Sequence, residues 1–186
     1  MASDRIWTVP NILSLTRLLL AVVLFVAITR GEAVPAFWLF LVAASTDWVD
    51  GWWARRFGQV SRLGRILDPL VDKVIVCGSY VLLAGSGTAI APWMTVIVVV
   101  RELVVTAIRA EMEKSGRDFS AALSGKLKMV LQCLTIGLVL AERAWPGLAP
   151  GGLPLPEIAG WAAWAAVIAT VWSGIEYLVA ARSLVR

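Results

Sequence analysis

Four aspartates carry the most suggestive chemistry in this chain of 186 residues. Asp47 and Asp50 are three positions apart, and Asp68 and Asp72 are four apart. On a helix, either spacing puts both residues on one face. Two antiparallel helices joined by a loop at Arg56–Arg65 would bring all four together. Carboxylates gathered in apolar surroundings repel one another and lose hydration unless divalent cations neutralise them. An all-oxygen donor set suits Mg²⁺ or Mn²⁺, and Ca²⁺ is also compatible. Structural ion pairs between helices are the competing explanation of the same residues. Gly51 and Ala54 lie four and seven positions beyond Asp47 on its face, so small side chains leave a groove where a ligand can approach the backbone. Arg55 adds a cation suited to a phosphate, and Gly64 would let the chain turn tightly into the next helix. The sequence contains no histidine, which excludes His-based catalysis and His metal ligation.

The elements that must position these residues are apolar. Hydrophobic residues make up 59% of the chain and the mean hydropathy is +0.79, against roughly 45–50% apolar usage in soluble proteins. Only 16% of residues are charged, in clumps between long uncharged stretches. A disordered chain, a disulfide-rich secreted module and an ordinary cytosolic enzyme are all excluded. At about 20 residues per span, the length accommodates about six spans with short loops. The expectation is an all-α polytopic membrane protein, residues 1–186 forming a single domain. The first residues lack the charged, apolar and small-residue regions of a cleaved signal.

The spans are expected at about Asn11 to Thr29, from near Pro35 through a charged end bearing Asp47, Asp50 and Arg55, from Asp68 to Ala84, from Ile90 to Arg109, from Ala121 to Ala141, and from Glu157 to Ala181. Turns are expected at Gly31 to Pro35, at Gly85 to Thr88, through the polar stretch Glu111 to Phe119, and at Trp145 to Pro156. Six spans leave both termini on one side. Of the 17 Lys and Arg residues, only Arg30 and Arg143 then fall on the other side, so both termini are expected to be cytoplasmic. The net charge of +4 is concentrated on that face and suits anionic headgroups or phosphates, with no nucleic-acid partner. Cys77 and Cys133 lie in apolar stretches and read as packed thiols.

Asp47, Asp50, Gly51, Ala54 and Arg55, then eight residues, then Gly64, Asp68 and Asp72, resemble the signature of the CDP-alcohol phosphotransferase family at every fixed position. The resemblance implies six membrane spans and displacement of CMP from a CDP-linked donor by an alcohol. It implies that Asp47, Asp50 and Asp68 bind two Mg²⁺ or Mn²⁺ ions, and that Asp72 touches metal and serves as general base. Asp50, Gly51, Ala54, Arg55 and Gly64 would accommodate the cytidine diphosphate. Two cations polarising a phosphoanhydride and stabilising the leaving CMP make chemical sense of that set. Direct displacement predicts inversion at phosphorus.

Further motifs resemble the branch of the family whose acceptor is glycerol 3-phosphate and whose donor is CDP-diacylglycerol, giving phosphatidylglycerophosphate. Pro10 and Asn11 precede Leu15, Thr16 and Arg17; Lys73 follows Asp72; Arg101 and Glu102 precede Arg109; Gly125, Lys126, Lys128 and Gln132 form a fourth cluster. Met129 and Ala21 stand where that branch usually has Thr and Pro. Asn11 would contact the nucleotide. Arg17, Lys73, Arg101, Arg109, Lys126 and Lys128 would form a pocket for the phosphate of the dianionic acceptor. Simpler roles compete: snorkelling for Lys126 and Lys128, pairing with Glu102 for Arg101, and headgroup anchoring for Arg17. Other acceptors, phosphatidylglycerol or inositol phosphate, keep the same chemistry. A divalent-cation transporter using the four aspartates is the reading from another class, disfavoured because all four fall at one membrane face. Trp48, Trp52, Trp53, Trp161, Trp164 and Trp172 read as lipid-facing or packing residues. The alanine-rich last span suits close helix contact, and the resemblance also implies a homodimer. Location in a bacterial inner membrane, with the site facing the cytoplasm, follows from the same reading.

Overall fold

The computed structural model describes the backbone of residues 9–57, 62–85, 87–114 and 123–182, and their side chains except at 9–11, 13, 47–57, 62–69, 113–114 and 123. Six α-helices account for nearly all of it: α1 (Val9–Thr29), α2 (Ala33–Phe57), α3 (Arg62–Leu83), α4 (Pro92–Lys114), α5 (Leu123–Ala144) and α6 (Leu155–Ala181). A 3₁₀ turn, Pro150–Gly152, interrupts the loop before α6. No strand occurs among the described residues. Two helical segments, Ser124–Ala144 and Leu155–Ala181, are long and apolar enough to cross a membrane; Ser14–Thr29 and Ala33–Thr46 are shorter apolar stretches. Large apolar side chains such as Leu19, Val96, Leu103, Trp161 and Ile168 are exposed. Water would penalise such a surface and lipid would accept it.

The helices form two compact units, Met1–Leu82 with Leu140–Pro146, and Leu83–Val139 with Gly147–Arg186. In the first, α1 packs on α2. The α1–α2 turn is a Schellman motif: the Glu32 amide donates to the Ala27 carbonyl (2.9 Å) and the Gly31 amide to Ile28 (3.1 Å). Gly31 takes φ 74°, a conformation that costs any other residue a Cβ clash. The buried stripe of α1 runs Ser14, Arg17, Ala21, Leu24 and Ile28, with the three–four spacing of one helix face. On α2 the stripe is Ala36, Phe40 and Ala43. Continued in the same helical register, that spacing reaches positions 47, 50 and 54. At the other end of this unit, Phe37 meets Trp145 edge to face, centroids 5.0 Å apart.

In the second unit α4 packs on α6. The alanines of α6 are used there: Ala163 and Val167 bury against Met94, with Ala91 and Ile97 alongside. Trp161, Trp164 and Trp172 are exposed, as their lipid-facing reading requires, while Trp48, Trp52 and Trp53 lie outside the described side chains. Cys77 and Cys133 form no disulfide and are half-buried, as expected.

The helix ends differ from expectation in three places. The Arg56–Arg65 loop is shorter, because α2 runs to Phe57 and α3 starts at Arg62, so Gly64 belongs to a helix and not to a turn. The polar stretch after Arg109 begins as helix, with α4 reaching Lys114, and α5 continues to Ala144. In each case charge and polarity were read as helix breakers. Arg, Glu and Lys are good helix formers, and the chain stays helical through them.

Candidate active site

Helix α3 carries Asp68 and Asp72 one turn apart, and α2 carries Asp47 and Asp50 one turn apart; both helices are continuous through these positions. The one-face relation read from the spacing therefore holds within each pair. Asp72 is the member of the quartet whose side chain is described, together with that of its neighbour Lys73. Asp47, Asp50 and Asp68, and the nucleotide candidates Asn11, Gly51, Ala54, Arg55 and Gly64, lie outside the described side chains. Among the described residues no group of three metal-ligating side chains gathers.

Asp72 accepts a hydrogen bond from the Arg17 guanidinium at Nη2, forming a salt bridge between α1 and α3. Arg17 is 2% exposed. That burial argues against a headgroup anchor, which would leave the guanidinium at the lipid surface. Arg17 lies on the buried stripe of α1, so the same register that packs Ala21 and Leu24 carries its charge to α3. The ionic bond fixes the carboxylate of Asp72 in an apolar setting, where an unpaired charge would be costly.

The second unit gathers the basic residues of α4 and α5. Arg101 (9% exposed), Glu102 (8%) and Lys128 (7%) are buried together. One oxygen of Glu102, Oε1, accepts from Arg101 Nη1 at 3.0 Å and from Lys128 Nζ. Lys128 is thus not a snorkelling residue; its ammonium is held inside. Arg101 does pair with Glu102, as its simpler reading supposed, but the pair shares its one carboxylate with a second cation. Arg101 Nη2 also donates to Ser173 Oγ, and Arg101 Nε is buried without a hydrogen-bond partner. One carboxylate oxygen thus takes two cations in a buried place. Arg109 is exposed and donates from Nη2 to Tyr177 Oη at 2.7 Å. Lys126 is exposed.

Sequence reasoning missed the contributions of α6. Ser173 and Tyr177 hold the two arginines, and Thr170 accepts from Gln132 Nε2 at 2.9 Å while donating to the Ala166 carbonyl. The available signal was their spacing: Thr170, Ser173 and Tyr177 form a polar stripe on an otherwise apolar helix, following directly on the buried alanines.

The family model described as CDP-alcohol phosphatidyltransferase matches residues 7–172. The chain is 36% identical over 139 residues to a protein of Bacillus subtilis named CDP-diacylglycerol–glycerol-3-phosphate 3-phosphatidyltransferase, covering 75% of this chain and 69% of that one. It is 34% identical over 187 residues to the protein of the same name from Escherichia coli K12, covering 95% and 96%. Its fold resembles that of phosphatidylinositol phosphate synthase from Mycobacterium tuberculosis. In the apo form the TM-score is 0.66 at 19% identity over 94% of this chain and 89% of that one; in the form with CDP-DAG bound it is 0.65 at 19% identity over 95% and 88%.

Proposed function

Because the chain belongs to the CDP-alcohol phosphatidyltransferase family, we propose that it transfers the phosphatidyl group of CDP-diacylglycerol to glycerol 3-phosphate, giving phosphatidylglycerophosphate and CMP. The observation that carries the choice of acceptor is the buried cluster in which one oxygen of Glu102 takes both Arg101 and Lys128, with Arg101 Nε left without a hydrogen-bond partner. Buried charge of one sign in an apolar bundle calls for a ligand of the other sign. A small dianionic phosphate meets that demand, whereas phosphatidylglycerol would bring its charge only as one diester. The names of the Bacillus subtilis and Escherichia coli relatives support the same acceptor.

Asp47, Asp50, Asp68 and Asp72 would hold two Mg²⁺ or Mn²⁺ ions. The fit rests on the donor set, all oxygen, and on two unbroken helices that keep each pair one turn apart. When bound, the metal supplies positive charge to the pyrophosphate of the donor. The residues of the chain do the rest. Asp72, oriented by Arg17, takes the proton of the acceptor hydroxyl as general base. Asn11, Asp50, Gly51, Ala54, Arg55 and Gly64 seat the cytidine diphosphate. Lys73, Arg101, Arg109, Lys126 and Lys128 seat the acceptor phosphate, and Arg17 serves the same reaction through Asp72. The oxygen of glycerol 3-phosphate forms the new P–O bond as the bond to CMP breaks, with inversion.

The reading places six spans in a bacterial inner membrane, both termini and the reaction on the cytoplasmic side, and residues 1–186 in a single domain. It includes a homodimer, whose contact would use exposed residues such as Trp161 or Ile168, since the alanine face of α6 already packs on α4. The test is CMP release by purified protein in detergent with CDP-diacylglycerol and Mg²⁺, each acceptor added singly. Release that depends on glycerol 3-phosphate is expected. Release only with phosphatidylglycerol or inositol phosphate would overturn the acceptor, and metal movement across vesicles without CMP release would overturn the chemistry.

A further inference from the structure

Tyr177 lies five residues beyond the segment that the family model matches, residues 7–172, yet it is the residue on which the two arginines of α4 converge. The Cζ atom of Arg101 lies 5.5 Å from the centre of its ring and that of Arg109 lies 5.6 Å away. Its hydroxyl accepts the Arg109 hydrogen bond at 2.7 Å. Tyr177 is itself only 2% exposed. An ordinary core tyrosine needs only a partner for its hydroxyl. Here the ring, negative in its quadrupole, also attracts both guanidinium groups of α4.

The neighbouring residues of α6 complete a cradle. Ser173 accepts from Arg101 Nη2. Gly174 leaves room for the stem of the same arginine, whose Cγ is 3.3 Å from where a Cβ would stand. Glu176 accepts from Ser124, next to the Gly125–Lys126 turn of α5. Arg109, like Lys126, is an exposed member of the basic set, with a long side chain and many rotamers of similar energy. A hydrogen bond and a ring contact to a rigid, buried residue select among those rotamers.

We infer that Tyr177 is a positioning residue for the acceptor site: by holding Arg109 through its hydroxyl and drawing both arginines to its ring, it presets the guanidinium pair that receives the phosphate of the acceptor. The inference rests on the reading of Arg101 and Arg109 as phosphate ligands. It gives α6 a part in acceptor affinity and none in the chemistry at phosphorus.

The experiment uses the full-length protein and steady-state kinetics with each substrate varied separately. Tyr177→Phe should raise the KM for glycerol 3-phosphate about ten-fold, the effect of losing one hydrogen bond to a charged group, with kcat and the KM for CDP-diacylglycerol within about two-fold. Arg109→Ala should raise the same KM by at least as much, and adding Tyr177→Phe to it should change nothing further, because the tyrosine acts through the arginine. Equal falls in kcat and rises in both KM values would mark Tyr177 as merely structural and overturn the inference. An effect of Arg109→Ala without one of Tyr177→Phe would also overturn it while leaving the acceptor reading intact. No effect of Arg109→Ala would remove that arginine from the acceptor reading and the inference with it. Should Tyr177→Phe fail to purify, Tyr177→Met, of similar length and without ring or hydroxyl, carries the same prediction with a larger rise.

Discussion

The two units of the molecule pair the charges on their apolar helices differently. In the first, Arg17 on α1 pairs with Asp72 on α3, and the sequence adds Asp47 and Asp50 on α2 and Asp68 on α3. In the second, Glu102 answers both Arg101 and Lys128, with Arg109 held nearby on Tyr177. In the first a carboxylate takes a guanidinium from another helix; in the second one carboxylate oxygen takes two cations. The proposed function gives the two clusters different ligands, metal ions at the aspartates of the first unit and an anionic phosphate at the basic residues of the second. It also separates their failures, since changes in the first should strike turnover and changes in the second should strike acceptor affinity.

The largest expected effect breaks the acidic side. Asp72→Asn keeps the size of the side chain and an oxygen for Arg17, but removes the base, and should lower kcat about 10²–10⁴-fold in the CMP-release assay. Chelation of divalent ions should bring the wild-type enzyme to background, and Mg²⁺ or Mn²⁺ should restore it. A variant with kcat near wild type would show that the base is another group. That outcome would erase the contrast between the units.

Next in size is the loss of the buried Glu102 charge in the second unit. Glu102→Gln removes the negative charge that one oxygen offers to both Arg101 and Lys128, which should cost about 3 kcal/mol of stability, or roughly 6–12 °C in Tm for a chain of this size. Inorganic phosphate should raise the Tm of this variant more than that of the wild type, because an anion binding the folded state replaces the missing charge. Equal shifts would mean that the cluster does not receive phosphate.

Smaller again is removal of a single cation from that cluster. Lys128→Met keeps the stem packed and leaves Glu102 paired with Arg101, so the fold should survive. The KM for glycerol 3-phosphate should rise about ten-fold or more, the loss of one charge-assisted contact, with the KM for CDP-diacylglycerol unchanged. A rise in both would show that the cluster serves the donor as well.

How much of this was legible in the sequence follows from the range of the interactions. The four aspartates and their helices were readable because periodicity and short spacing are local properties, and α2 and α3 are indeed unbroken through them. The basic residues were readable as a class. Their arrangement was not: Ser173 meets Arg101 across 72 positions, Tyr177 meets Arg109 across 68, and Gln132 meets Thr170 across 38. Such pairings depend on which helix packs on which, and an apolar bundle offers many near-equivalent packings to the eye. The alanines of α6 illustrate this, since small residues signal a close contact without saying whether the partner is α4 or a second chain. Arg17 shows the reverse case. Its charge suggested a phosphate or a headgroup, and only its register on the stripe with Ala21 and Leu24 aims it at Asp72.

The smallest expected effect lies away from both charged clusters and tests whether they are insulated from ordinary packing. In the first unit α1 and α3 form an open apolar groove of about 490 Å³, lined by Val22, Phe25, Val26, Thr29, Gly78, Val81 and Leu82. A Cβ built on Gly78 would stand 2.2 Å from Cζ of the Phe25 ring, closer than atoms can approach. The contact is with the far end of a side chain beside open space, so the ring can turn into the groove, at the price of an unfavourable rotamer. Gly78→Ala should therefore cost about 1 kcal/mol through overpacking, partly offset by the helix propensity of alanine, and lower Tm by about 2–4 °C. Arg17 lies two helical turns before Phe25 on α1, and Asp72 lies six residues before Gly78 on α3, so their salt bridge should hold and kcat and both KM values should stay within about two-fold. A large loss of kcat at unchanged expression would mean that the α1–α3 spacing itself sets the Arg17–Asp72 pair, and the acidic unit would then be as dependent on its packing as the basic unit is on Tyr177.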